Sequence, residues 1–293
     1  MRTRAWFVFL SFAFLLCANA WAGVPDAVKR VEFGTQVETH SRPLWYVQTV
    51  QPLSANSATT VFIQPRFSWR YPAWEAEVCQ KETESALGLG VRTLNGDKLV
   101  GFNGFLDYRD QNEQYRMGVG FEMLGRIVDF RANAYHAVNG KRRYVTGVVE
   151  DYYERAISRF DMEVGVPLPF TPWLRVYAGG YVSDRTESKD YGGLKFRLEA
   201  KLKNALTIEG YTYTDKMIKG SPEYGARARC SLAFDSLNDL KEWVLTIEPE
   251  AYPGVDVSTR TLIPVERNNE MSLERWAAIK AANGNTIDVR EIK

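Results

Sequence analysis

The side chains best suited to chemistry are few and scattered in this chain of 293 residues. Hydrolytic catalysis commonly sets a nucleophile beside a histidine base, and the chain has only His40 and His136. His40 falls beside a loop, and His136 falls on an apolar face near a strand end, a poor place for a general base. Asp161 and Glu163 stand two apart and so share a strand face, and Asp129 and Arg131 do the same. With no pocket around them, such pairs read as a solvated wall. Glu150, Asp151 and Glu154 carry the oxygen ligands that Ca²⁺ prefers, yet no His/Cys/Asp/Glu cluster has metal-ligand spacing. The sequence points to no enzyme, no cofactor and no metal. A formal net charge of +1 argues against a nucleic-acid partner, which would leave a basic excess.

The N-terminus carries an address instead. Arg2 and Arg4 precede an apolar run from Ala5 to Cys17, and Ala20-Trp21-Ala22 fits the small-x-small cleavage rule. Residues 1–22 read as a signal peptide, with the mature chain starting at Gly23. No later apolar run reaches the roughly eighteen residues of a transmembrane helix. Of the remaining cysteines, Cys79 falls in a loop and Cys230 on an apolar strand face, so both read as free thiols.

From about Val31 to Phe234, segments of about ten residues alternate apolar and polar residues, and each ends in a turn or loop. Tyr115, Met117, Val119, Phe121 and Met123 oppose Arg116, Gly118, Gly120 and Glu122. Val128, Phe130, Ala132 and Ala134 oppose Asp129, Arg131, Asn133 and Tyr135. Phe160 to Val166, Leu174 to Val182 and Leu194 to Leu198 follow the same rule, with Arg159, Asp161, Glu163, Arg175, Lys195, Arg197 and Glu199 on their polar faces. One face is almost free of charge, and the other mixes acids, bases, Gly and Tyr. That division fits a membrane barrel, apolar toward lipid and polar toward a lumen, better than a soluble sandwich. The expected lumen lining is Arg92, Arg116, Glu122, Asp129, Arg131, Arg159, Asp161, Glu163, Arg175, Lys195, Arg197, Glu199, Arg227 and Arg229. Inward glycines are expected to leave room for the long arginines and for sheet curvature.

Connections alternate in length. Leu94-Asn95-Gly96-Asp97, the region of Gly125, Pro167 to Pro172 and Lys201 to Asn204 are short. Arg70 to Glu84, Tyr108 to Glu113, Val138 to Ala156, Ser183 to Tyr191 and Asp215 to Glu223 are long. Short periplasmic turns and long outer loops are the outer-membrane pattern, here with about twelve strands. The fold class is therefore all-β, an outer-membrane antiparallel barrel over residues 23–234. Its last strand alternates from Tyr224 through Leu232 to Phe234, and these residues resemble the signal read by the outer-membrane assembly machinery. In the segment 235–293, Trp243 to Ile247 reads as a short strand, Pro253-Gly254 as a turn, and Ser272 to Ala282 as a short helix capped by Ser272.

Several stretches resemble the β-domain of the inverse autotransporters, the intimin and invasin family. They are Ser85-Ala86-Leu87-Gly88-Leu89-Gly90-Val91-Arg92, Val100 to Tyr108, Tyr115 to Glu122, Glu150-Asp151-Tyr152-Tyr153-Glu154-Arg155 and, past the barrel, Leu262 to Glu270 with Val265, Arg267, Asn268 and Asn269. They occur in family order. The resemblance implies a translocator in the bacterial outer membrane whose downstream segment turns back through the lumen. It also implies exported immunoglobulin-like domains that bind host cells. The segment 235–293 is too short for one such domain of about 100 residues, so a short or missing passenger is expected. The alternative is a small pore, or a loop-based surface-binding protein with a plugged lumen. Expected partners are outer-membrane lipid, the assembly machinery and periplasmic chaperones. A host or surface ligand stays unassigned.

Overall fold

A computed structural model describes residues 25–39, 41–70, 82–146, 150–186, 189–202, 206–215, 222–231, 247–280 and 286–291. The cleavage site, His40, Cys79, Leu232, Phe234 and Trp243 to Thr246 lie outside the described residues.

The alternating segments form strands β1 (Val31–Glu38), β2 (Leu44–Thr49), β3 (Gln51–Ala55), β4 (Thr59–Arg70), β5 (Glu82–Asn95), β6 (Lys98–Arg109), β7 (Gln114–Gly125) and β8 (Asp129–Ala137). After the two rim strands β9 (Arg142–Thr146) and β10 (Glu150–Ala156), the wall continues as β11 (Ser158–Leu168), β12 (Thr171–Asp184), β13 (Tyr191–Leu202), β14 (Leu206–Asp215) and β15 (Glu223–Ser231). Neighbouring wall strands pair antiparallel. β1 pairs with β15 on one side and β2 on the other, and β2 and β3 both pair with β4, so the sheet closes. β2 and β3 act as one broken wall strand, which turns a sheet of thirteen strands into a barrel of twelve.

Exposure follows the alternation. Met117, Val119, Phe102, Val182 and Phe196 point outward and are more than half exposed. A soluble monomer rarely shows so continuous an apolar surface, whereas a bilayer covers it. Tight turns gather at one rim. Asn56 Oδ1 accepts the amides of Ala58 and Thr59 (2.9 and 2.7 Å), Gly96 takes a positive φ of 61°, and Gly125 donates to the Val128 carbonyl (2.9 Å). At the other rim the turn Gln111–Glu113 meets the link that carries β9–β10, where Asn112 donates to Glu154 Oε1 (3.0 Å).

Four expectations are corrected. The link Val138 to Ala156 is not a plain loop, because it carries the antiparallel pair β9–β10. Ser272 to Ala282 is not a helix: β16 (Leu273–Lys280) is a strand between β10 and β17 (Thr286–Glu291). Its Ala, Glu and Lys favour helix on their own, but pairing along β10 overrides that weak preference. Several inward glycines make room for rings, whereas Gly101 lies against Glu122 and Arg92 as expected. A Cβ on Gly88 would fall 2.2 Å from the Phe105 ring, and one on Gly90 would fall 2.3 Å from the Phe62 ring. Finally, Cys230 is disulfide-bonded rather than free; the alternation fixes the face it sits on, not what reaches it.

Candidate functional site in the barrel interior

The barrel interior is occupied by the chain's own residues. Beyond the wall, the backbone meets the turn rim first: Phe170 N donates to Ala251 O (2.9 Å), and Val255 N donates to Arg126 O (3.0 Å). Gly254, with a positive φ of 75°, bends the chain inward, and Asp256 caps the short 3₁₀ turn Val257–Arg260 through Ser258 N (2.9 Å). Arg260 then grips Asp129 with both terminal nitrogens, at 2.8 and 2.7 Å. This fork on a carboxylate is bidentate and directional.

Deeper in, wall and segment interlock at several levels. Arg92, fully buried, donates Nε to Glu122 (2.6 Å) and Nη1 to the carbonyls of Thr261 (2.9 Å) and Ile263 (2.6 Å). Val265 drops into an apolar socket of Val50, Phe62 and Phe105, with Leu262 alongside, and its amide donates to Gln64 Oε1 (3.0 Å). A second socket joins Val257 and Ile263 to Leu99 and Leu124. Glu266 accepts from Arg227 and lies 3.5 Å from Arg229. Arg267 forks onto Asp107 (2.9 and 2.5 Å) and stacks 4.1 Å above the Phe105 ring. Arg116, on the far side of Asp107 (2.8 Å), reaches the carbonyls of Asn268 and Glu270 (both 2.9 Å). Asn268 N donates to Tyr135 Oη (2.7 Å), and Asn269 Nδ2 donates weakly to the Arg267 carbonyl (3.4 Å). Near the loop rim, Glu270 accepts from Arg70 and Gln36.

The other sequence-predicted charges form a wall network beside this column. Arg197 bridges Glu163 (2.7 Å), Glu199 (3.0 Å) and Glu209 (3.4 Å), and Arg131 also reaches Glu163 (2.9 Å). Arg229 lies 3.3 Å from Glu209 and 3.5 Å from Glu199. Arg175 lies 3.1 Å from Asp129 and donates to the Ile127 carbonyl (2.8 Å). Asp161 accepts from Asn133 (3.0 Å) and lies 3.7 Å from Arg159, which stacks on Tyr181. Lys195 is only half-buried and sits 5.8 Å over the Tyr211 ring. His136 and Tyr224 point outward and are exposed. Buried charges are costly unless paired, and here arginines pair with Asp107, Asp129, Glu163, Glu199, Glu209 and Glu266.

Sequence reasoning missed Asp107, Gln64, Glu209, Arg260 and Glu266. Asp107 was legible, since it keeps phase with Gly101 and Asn103 on β6. The inward apolar residues Leu99 and Phe105 hid that phase, because a polar lumen does not call for them. They are there to receive the threaded segment.

A family model described as "Inverse autotransporter, beta-domain" matches residues 19–183, more than half of the chain. The chain belongs to this family. Invasin from Yersinia enterocolitica is 34% identical over 88 residues, 30% of this chain and 10% of invasin. The inverse autotransporter chain thus spans about a tenth of the length of that relative. A solved chain from a study of in-meso crystallization of membrane proteins superposes with a TM-score of 0.63 at 17% identity, over 84% of this chain and 99% of the other. It shares the barrel fold. A KdgM porin aligns less closely, with a TM-score of 0.45 at 7% identity over 69% of this chain and 98% of the porin.

Proposed function

We propose that this inverse autotransporter barrel carries its own downstream segment from the turn rim to the loop rim and holds it there as the stem of a surface-exposed part. One observation carries the reading. Asp256 to Met271 is bound level by level by side chains from strands around the wall, beginning at the tight-turn rim and ending where Met271 N donates to Glu84 (3.2 Å). An open pore would not spend two bidentate arginine pairs and two apolar sockets on closing itself. The barrel works as a conduit and anchor and assigns no reaction to its interior carboxylates, most of which are engaged by arginine.

In this reading residues 1–22 direct export and are cleaved, and periplasmic chaperones deliver residues 23–234. The assembly machinery reads Tyr224, Leu232 and Phe234, the barrel rests in outer-membrane lipid, and the segment 235–293 threads the lumen through Asp256 to Met271. An epitope tag after Lys293 tests it. Protease added to intact cells should remove the tag while leaving the barrel whole. A tag protected until the outer membrane is breached refutes the reading.

A further inference from the structure

At the loop rim the barrel has built something its closure does not require. The hairpin β9–β10 belongs to the link between wall strands β8 and β11, and it is fixed to the wall by its own contacts. Gln114 on β7 donates to the Glu154 carbonyl and accepts the Ala156 amide (both 3.3 Å), and Asn112 donates to Glu154 Oε1 (3.0 Å). One edge of β10 is paired with β9. The other is paired, over seven residue pairs from Glu150↔Ile279 to Ala156↔Leu273, with β16, which comes from the threaded segment. A strand edge without a partner leaves a row of N–H and C=O groups unmet, and an added strand satisfies them in register.

Side chains fit that edge to β16. Trp276 stacks on Tyr153 with centroids 5.9 Å apart and planes 17° apart. Arg275 Nε donates to Glu154 Oε2 (2.7 Å), and Glu154 is almost wholly buried. Glu274 accepts the amide of Thr186 from the neighbouring loop (3.1 Å). Met271 and Leu273 pack against Ala137 and Ala156, and Ile157 N donates to the Ser272 carbonyl (3.0 Å).

We propose that the β9–β10 hairpin is a receiving edge. It captures Leu273–Lys280 by strand addition as that segment leaves the lumen, and it holds the segment outside against return. The proposal rests on the conduit reading above. It makes the rim hairpin an active part of export and locates the hold-fast in this chain's own residues.

The test uses the full chain with a tag after Lys293, expressed in cells, with barrel folding followed by heat-modifiable mobility. Ala277→Pro denies β16 its pairing, and Glu154→Gln removes the buried partner of Arg275. Both should leave the barrel folded and lower tag exposure at the surface several-fold. Tyr152→Cys combined with Ala277→Cys, at opposing positions, should cross-link under mild oxidant on intact cells. Normal tag exposure in both single variants, or no cross-link, overturns the capture proposal and leaves the conduit reading standing. A tag never exposed even in the unaltered chain overturns both. If Ala277→Pro fails to fold, the cross-link and Glu154→Gln still decide.

Discussion

Asp107 offers the sharpest test of how the segment is held. Its two oxygens take three arginine contacts, two from Arg267 of the segment and one from Arg116 of the wall, and all three side chains are almost fully buried. Asp107→Asn keeps the shape and removes the charge, so two buried guanidinium groups lose their counter-ion. Breaking a buried pair from one side costs about 3–5 kcal/mol. At about 1.4 kcal/mol per tenfold, the equilibrium for releasing this level of the segment should shift by roughly two to three and a half orders of magnitude. Arg260 on Asp129 and the Val265 socket remain, so release should be partial and brief. In planar bilayers the purified variant should show short opening events far more often than the unaltered chain. Arg267→Gln should act in the same direction, and the two together should do less than the sum of their separate effects, as for residues in contact. A variant with a lower melting temperature but unchanged conductance would show that Asp107 serves the wall alone, and the reasoning would fail.

Other outcomes follow from the same contacts. Deleting Asp235 to Lys293 should turn a silent barrel into a conducting one, read as a step in bilayer current. Val265→Ala should weaken segment retention by about 1–3 kcal/mol through lost methyl contacts, seen as faster proteolysis of the released segment. Gly88→Ala should force Phe105 from its place under Arg267, costing about 1–3 kcal/mol by overpacking and lowering the thermal midpoint. Asp129→Asn should loosen the turn-rim end and expose Arg260 to a guanidine-reactive reagent, since Arg260 loses both of its carboxylate contacts there.

The wall was legible because two environments wrote it. Lipid demands apolar residues at every second position, and the interior tolerates charge, so Met117 and Arg116 alternate without ambiguity. Legibility failed where both faces of a strand are covered. In β16, Glu274, Trp276, Ala277 and Ala278 are all buried, so no period of two survives and helix-favouring residues mislead. In β10, Asp151 and Glu154 are buried on opposite faces, and the stretch reads as a charged loop. The bidentate pairs were invisible for another reason: Arg267 and Asp107 lie 160 residues apart, and no local pattern links them. The resemblance marked Val265, Arg267, Asn268 and Asn269 as a motif without saying what each touches. The motif holds a socket residue, a fork on Asp107, and backbone contacts with Arg116 and Tyr135.

The seam between β1 and β15 has a topological consequence. Protein chains rarely pass through their own loops, yet here the ring closed by Glu32↔Ser231 through Glu38↔Gly225 encircles residues that follow it in sequence. The chain is a noose whose knot is a ladder of hydrogen bonds rather than a covalent link. No strand of a closed ring admits a tail from the side. The tail must therefore lie in the opening before the seam shuts, or slide in end-on afterwards. Closing the seam joins nearly the two ends of the barrel sequence, the most distant pairing in the wall and by loop entropy the slowest to form. The order of those two events, tail inside and seam shut, is thus a clock set by the longest loop in the fold.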